Sequence, residues 1–160
     1  MGDVHIRPAT DSDRPEIERV LTESWGSPTV IGHGVEYHAA RLPALLAERD
    51  GTVVGLLTHH VAGDSLEIVS IDALPRHGGV GTALLTAVTD LAREAGLRRL
   101  WLITTNDNLD ALRFYQRRGL RIIGVTPGAV DAARRRKPSI PEVGDYGIPL
   151  HDELTLELRL

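Results

Sequence analysis

The stretch Pro75-Arg76-His77-Gly78-Gly79-Val80-Gly81-Thr82 constrains this chain most, because three glycines in four positions leave backbone N–H groups uncovered and permit positive φ. Residues 66–74 before it read as a strand, and after it Leu84, Val88, Leu91 and Ala95 share one face of an amphipathic helix. Strand, glycine turn and helix start in that order make an anion cradle, since free amides and the positive end of a helix dipole point at the same spot. A loop that simply needs small residues has the same composition, so the flanking elements carry the phosphate reading.

Two phosphate loops are excluded by their residues. A nucleotide-hydrolase loop ends in Gly-Lys-Ser/Thr, whereas Thr82 follows Gly81 directly. A dinucleotide loop needs a small residue where Leu84 stands and an acid about twenty positions further on.

The stretch resembles the acetyl-CoA signature of the GNAT N-acetyltransferases, Arg/Gln-x-x-Gly-x-Gly/Ala, in Arg76, Gly79 and Gly81. The resemblance extends to Glu67-Ile68-Val69 upstream and to Asn108-x-x-Ala111-x-x-Phe114-Tyr115-x-x-x-Gly119 downstream, and more loosely from Val4 to Leu160. It departs from the family where Pro75 abuts Arg76, since two residues usually separate them. The resemblance implies an α/β (α+β) fold: a mixed, largely antiparallel sheet of about seven strands with helices on both faces. It implies acetyl-CoA as co-substrate, with no metal, and direct transfer to a primary amine in a ternary complex. The backbone of Asp72, Ala73 and Leu74 is then expected to pair with the pantetheine arm. Arg76, His77, Gly78, Gly79, Val80, Gly81 and Thr82 are expected near the phosphates, and Asn108, Ala111 and Tyr115 along the arm and sulfur. Glu67 matches the family's strand carboxylate and is the expected base; Tyr115 is the expected acid, with Phe114 packing beside it.

Chemistry ranks these two roles. A lysine-like amine with pKa ~10.4 is neutral about once in 10³ at pH 7, a cost of roughly 4.6 kcal/mol that a base helps to meet. A thiol with pKa ~8.5 already leaves as a fair thiolate, so the acid contributes less. Other readings stay open: Glu67 as a solvated hairpin residue, deprotonation through ordered water, and Tyr115 as a core aromatic.

A chain of 160 residues is read as one domain. The absence of cysteine agrees with a reducing compartment and removes thiolate chemistry. With no run of about 18 apolar residues and no signal-peptide core, a cytoplasmic protein without membrane contact is expected. A net charge of −4 argues against nucleic acid and for a cationic or neutral small partner. Of the seven histidines, His59 and His60 are neighbours on a strand pattern and point apart, so no metal site is expected.

In chain order, residues 4–7 read as a strand, and Asp13 with Glu16 as the capping box of a helix whose apolar face is Ile17, Val20, Leu21 and Trp25. Residues 25–37 read as irregular and mobile; in the family this segment walls the acceptor site, making Trp25 and His33 candidate acceptor contacts. Asp50-Gly51 marks a hairpin between residues 45–49 and 52–58, and Gly63-Asp64 a second. Residues 100–103 form an apolar run, Asn108 opens a helix to about residue 118, and residues 120–125 form a strand. Residues 126–151 form a Pro- and Gly-punctuated arm with one helical segment at 130–137. The arm is expected to wall the acceptor site, with Tyr146 as its contact. The basic run Arg134-Arg135-Arg136-Lys137 reads as a solvated helix end in preference to a phosphate or partner contact. Residues 153–160 alternate, with Leu154, Leu156, Leu158 and Leu160 on one face, which either joins a homodimer or completes the core. Against the acetyltransferase stand a catalytically silent acyl-CoA sensor and, less well supported, a nucleic-acid-binding regulator.

Overall fold

The computed structural model describes residues 3–73 and 78–160; the expected cofactor contacts Leu74, Arg76 and His77, and the Pro75-Arg76 connection, lie outside the described residues. In order the elements are β1 (His5–Pro8), α1 (Arg14–Trp25), β2 (Thr29–Gly32), β3 (Val35–His38), β4 (Ala44–Arg49), β5 (Thr52–Ala62) and β6 (Ser65–Ala73). Then follow α2 (Val80–Glu94), β7 (Arg99–Thr105), α3 (Leu109–Arg117), β8 (Arg121–Thr126), α4 (Ala129–Arg136) and β9 (Glu153–Arg159). Seven strands make one sheet in the order β1-β4-β5-β6-β7-β9-β8, in which β6 and β7 run parallel and the other described pairs antiparallel.

The period of two along each strand supplies both faces of this sheet. Leu45, Ala47 and Leu57 join Leu84, Val88 and Ala92 of α2 in one core, while Ala44, Leu46 and Leu56 join Ile17, Val20 and Leu21 of α1 in the other. Fully burying each leucine is worth about 1.5–3 kcal/mol. At Gly55 a Cβ would stand 2.5 Å from Val80 Cγ1, so the missing side chain lets the start of α2 press onto β5.

Two features of β6 open a cleft. Its pairing with β7 covers only Ser65 to Ile68 against Arg99 to Leu102. Val69 is an extra residue, because Thr58 of β5 faces Ser70 and His59 faces Ile68; such a bulge bends the strand. Among the described residues the β7 side of β6 therefore has no strand partner beyond Ile68.

Several expectations need correction. Asp13 holds the N-cap position of α1, but its side chain does not cap that helix; its carboxylate accepts the Thr10 amide at 2.7 Å and pairs with Arg7. Residues 25–37 are not irregular throughout, because β2 and β3 form a separate hairpin turning at His33 (φ 40) and Gly34 (φ 78), the paired positive angles of a type I′ turn. The basic run is not simply solvated. Lys137 Nζ donates to Trp25 O (3.1 Å) and Thr29 O (2.8 Å), and Arg136 to Gly34 O (2.8 Å), clasping the hairpin, while Arg134 donates to carbonyls of Ile140, Pro141 and Leu150. The β9 leucines complete the chain's own core, with Leu156 fully buried and Leu154, Leu158 and Leu160 packed against it. Exposed apolar side chains lie instead on the edge strand β8, at Ile122, Ile123 and Val125. Among the described residues no helix is long and apolar enough to cross a membrane.

Candidate active site

Where β6 and β7 part, a cavity of about 850 Å³ is lined by both strands, the start of α2 and one face of α3. Of the expected cofactor contacts, Asp72, Ala73, Gly79, Val80, Gly81, Thr82, Asn108, Ala111 and Tyr115 line it. Gly78 is described but is not in this wall; Arg49 donates to its carbonyl at 3.0 Å. At Gly81 a Cβ would come within 3.2 Å of the Phe114 ring, so glycine lets α2 begin close against α3 and keeps its amides near the cavity. Arg118 stacks on Phe114 at 3.7 Å and donates to Thr82 Oγ1, which puts a cation beside the same helix start. These residues fit a phosphorylated cofactor: free amides at a helix N-terminus, a guanidinium beside them, and an unpaired strand edge leading inward.

Asn108 holds the N-terminal position of α3 without a capping bond from its side chain, which donates instead to Thr104 Oγ1 at 3.2 Å on the cleft wall. Tyr115 is 6% exposed and lines the cavity, and its hydroxyl makes no hydrogen bond among the described residues. Burial, with the charge of Asp72 adding, raises its phenol above the ordinary value, so it stays a proton donor at neutral pH. Burial raises the Asp72 carboxyl too, against hydrogen bonds from Trp25 and Ser24 that favour its charged form.

A second cavity of about 110 Å³ adjoins the first through the shared walls Trp25, Ile68, Val69, Ile103, Thr104 and Asn108. Glu67 and Glu153 both line it, each 4% exposed. Glu67 is therefore not a solvated hairpin residue. Tyr37 donates to its Oε1 at 2.6 Å, and His33 Nε2 lies 3.1 and 3.0 Å from its two oxygens. The His33 ring rests on Trp101 at 5.0 Å, which pairs with Glu67 across β6 and β7. Burial and the Glu67 hydrogen bond raise the Tyr37 phenol. Glu153 accepts the His33 backbone N–H at 3.1 Å, and burial holds its carboxyl above the ordinary value.

Trp25 lines both cavities, and His33 lies outside their walls but contacts Glu67 of the second. Tyr146, expected as an acceptor contact, does neither: it is 67% exposed, lines neither cavity and donates to Asp110 at 2.5 Å. Glu153 and Tyr37 were missed. Glu153 alternates with Thr155, Glu157 and Arg159 like any solvated strand face, and the β2–β3 hairpin that buries it is far away in sequence. Tyr37 carried a usable signal, an aromatic with a hydroxyl four positions after His33.

The acetyltransferase (GNAT) family profile matches residues 8–120. The Bacillus subtilis (strain 168) protein YxbD is 36% identical over 158 residues, covering 98% of this chain and 99% of its own. Streptothricin acetyltransferase of Streptomyces lavendulae is 29% identical over 114 residues, which span 69% of this chain and 60% of that one. Among solved structures, a GNAT family acetyltransferase from Elizabethkingia anophelis with acetyl-CoA bound superposes with a TM-score of 0.74 at 19% identity, covering 100% of both chains. The profile's reach over residues 8–120, from the end of β1 past α3, places this chain in the GNAT acetyltransferase family.

Proposed function

We propose that this acetyltransferase moves the acetyl group of acetyl-CoA directly onto the primary amine of a small cationic acceptor, both being bound together. The observation that carries the proposal is the parting of β6 and β7 beyond Ile68 and Leu102. Beside it the larger cavity, with Tyr115 in its wall, shares walls with a smaller one lined by two carboxylates.

Acetyl-CoA supplies an activated thioester and a thiol leaving group. The unpaired edge of β6 at residues 69–73 holds the pantetheine arm like an added strand, and its amides stabilise charge developing on the thioester oxygen. The amides of Gly79 to Thr82, at the start of α2, receive the phosphates. Glu67 and Glu153 draw the acceptor's ammonium to the acetyl carbon and between them remove its proton. Tyr115, kept protonated by burial, gives its proton to the departing sulfur. The two-carboxylate pocket favours a cationic acceptor, and the likeness to an enzyme named for the small molecule streptothricin supports a small one. Incubation with acetyl-CoA and a panel of amines, read as free thiol and as acceptor mass, tests the proposal. Thiol release that depends on an amine is expected.

A further inference from the structure

Two buried carboxylates share the acceptor cavity, and their surroundings differ. Both oxygens of Glu67 are engaged, Oε1 by Tyr37 at 2.6 Å and both by His33 Nε2 at 3.0–3.1 Å. Tyr37 and His33, both from the β2–β3 hairpin, thus fix the orientation of this carboxylate. What the arrangement does well is hold a fixed negative charge in one orientation.

Glu153 is equally buried, and its one hydrogen bond among the described residues is from the His33 backbone N–H to Oε1, at 3.1 Å. No Lys or Arg pairs with it among the described residues. Its second oxygen has no hydrogen-bond partner among the described residues and is not fully enclosed, and the residue lines the cavity. In register, Glu153 stands between Thr105 of β7 and Thr126 of β8, both uncharged. The titratable groups acting on it are Glu67 from β6 and His33 from the hairpin.

We infer that Glu153 is the catalytic base that takes the acceptor's proton, while Glu67 holds the ammonium in place. The inference rests on the acetyl-transfer reading of the site. The ammonium gives one proton to the free oxygen of Glu153. The nitrogen then bonds to the acetyl carbon as the carbon–sulfur bond breaks, and the sulfur takes the Tyr115 proton. The second proton shed by the nitrogen restores Tyr115, and Glu153 releases its proton to water, so one proton leaves per turnover. A buried carboxyl held above its ordinary value by desolvation and by Glu67 is also better matched to proton transfer near neutrality.

The test compares Glu153→Gln and Glu67→Gln with the wild type, using streptothricin, putrescine and n-butylamine as acceptors and thiol release from about pH 6 to about pH 10 as readout. Glutamine keeps an oxygen for the His33 amide, and acetyl-CoA affinity by calorimetry reports whether each variant is folded. Glu153→Gln is expected to lower kcat about 100-fold near pH 7, with the loss shrinking as pH approaches the amine's own pKa of ~10. Glu67→Gln is expected to raise KM for the amine about tenfold and to keep the wild-type pH profile. Should Glu153→Gln fail to bind acetyl-CoA, Glu153→Asp takes its place, with a lowered kcat and an unchanged pH profile expected. A Glu153→Gln enzyme with wild-type kcat and profile overturns the assignment alone, as does loss of the low-pH limb in Glu67→Gln only, or wild-type kcat in Glu153→Asp. A wild type that acetylates none of the three amines overturns the small-amine reading and the assignment with it.

Discussion

Tyr37 donates its hydroxyl to Glu67 Oε1 at 2.6 Å, so the hairpin that helps to wall the smaller cavity is fastened to the main sheet through a buried carboxylate. Tyr37→Phe removes that donor and leaves the oxygen to His33 alone. The variant is expected to lose about 1–3 kcal/mol, a fall in melting temperature of about 2–4 °C per kcal/mol, and to show a KM for the acceptor raised severalfold. Unchanged melting and acceptor kinetics would mean that the hairpin is held by other contacts.

The C-terminal arm reaches the same hairpin from outside. Lys137 is partly buried, its ammonium held below the ordinary value by desolvation, and it donates to carbonyls at both ends of residues 25–29. Lys137→Met keeps the stem and removes the three donors. Acceptor KM is expected to rise severalfold while acetyl-CoA affinity, measured by calorimetry, stays within about twofold, because the α2 start is untouched.

Two carboxylates of the cleft cost stability where they are ionised. Burial raises both Asp72 and Glu153 in the folded chain. A carboxyl raised on folding contributes its stability in full below its unfolded pKa of ~4, and loses it as pH rises through the folded value. Asp72→Asn and Glu153→Gln are therefore expected to raise the melting temperature near neutral pH and to leave it unchanged at about pH 4. Scanning calorimetry at the two pH values checks this; equal shifts at both would mean that the gain is not electrostatic.

Close packing beneath the cleft supplies a further prediction. Gly55→Ala places a methyl 2.5 Å from Val80 Cγ1 and 3.1 Å from the Asp72 carbonyl oxygen, and backbone cannot yield as a flexible side chain does. A loss of about 1–3 kcal/mol is expected from overpacking. Because the start of α2 must move, acetyl-CoA affinity is expected to fall in the same variant, as calorimetry would show.

Local chemistry made much of this molecule legible from sequence. The Asp50-Gly51 turn, with φ of 53 and 77, joins its strands where expected, and described residues of all three motif segments, Ile68 and Val69, Gly79 and Gly81, Asn108 and Tyr115, line one cleft. The acceptor end was not legible. Its four-residue strands are punctuated by Gly32 and Gly34 and show no usable period, and they become strands only by pairing with each other over β6 and β7. The cationic run at the end of α4 looked solvated because the carbonyls that Arg136 and Lys137 meet lie about a hundred positions earlier. Glu153 shared its polar strand face with residues that do meet water, as Arg159 does.

The central claim is that the parted strands β6 and β7 hold acetyl-CoA with its sulfur at Tyr115 and an amine at Glu67 and Glu153. The most direct measurement is amine-dependent thiol release by the wild type and by Tyr115→Phe, with acetyl-CoA affinity of each taken by calorimetry. The account predicts acetylated amine from the wild type, and in Tyr115→Phe a kcat lowered about tenfold or more with affinity unchanged, since only a hydroxyl is lost. Equal kcat in the two proteins, or a wild type that binds no acetyl-CoA, would contradict it.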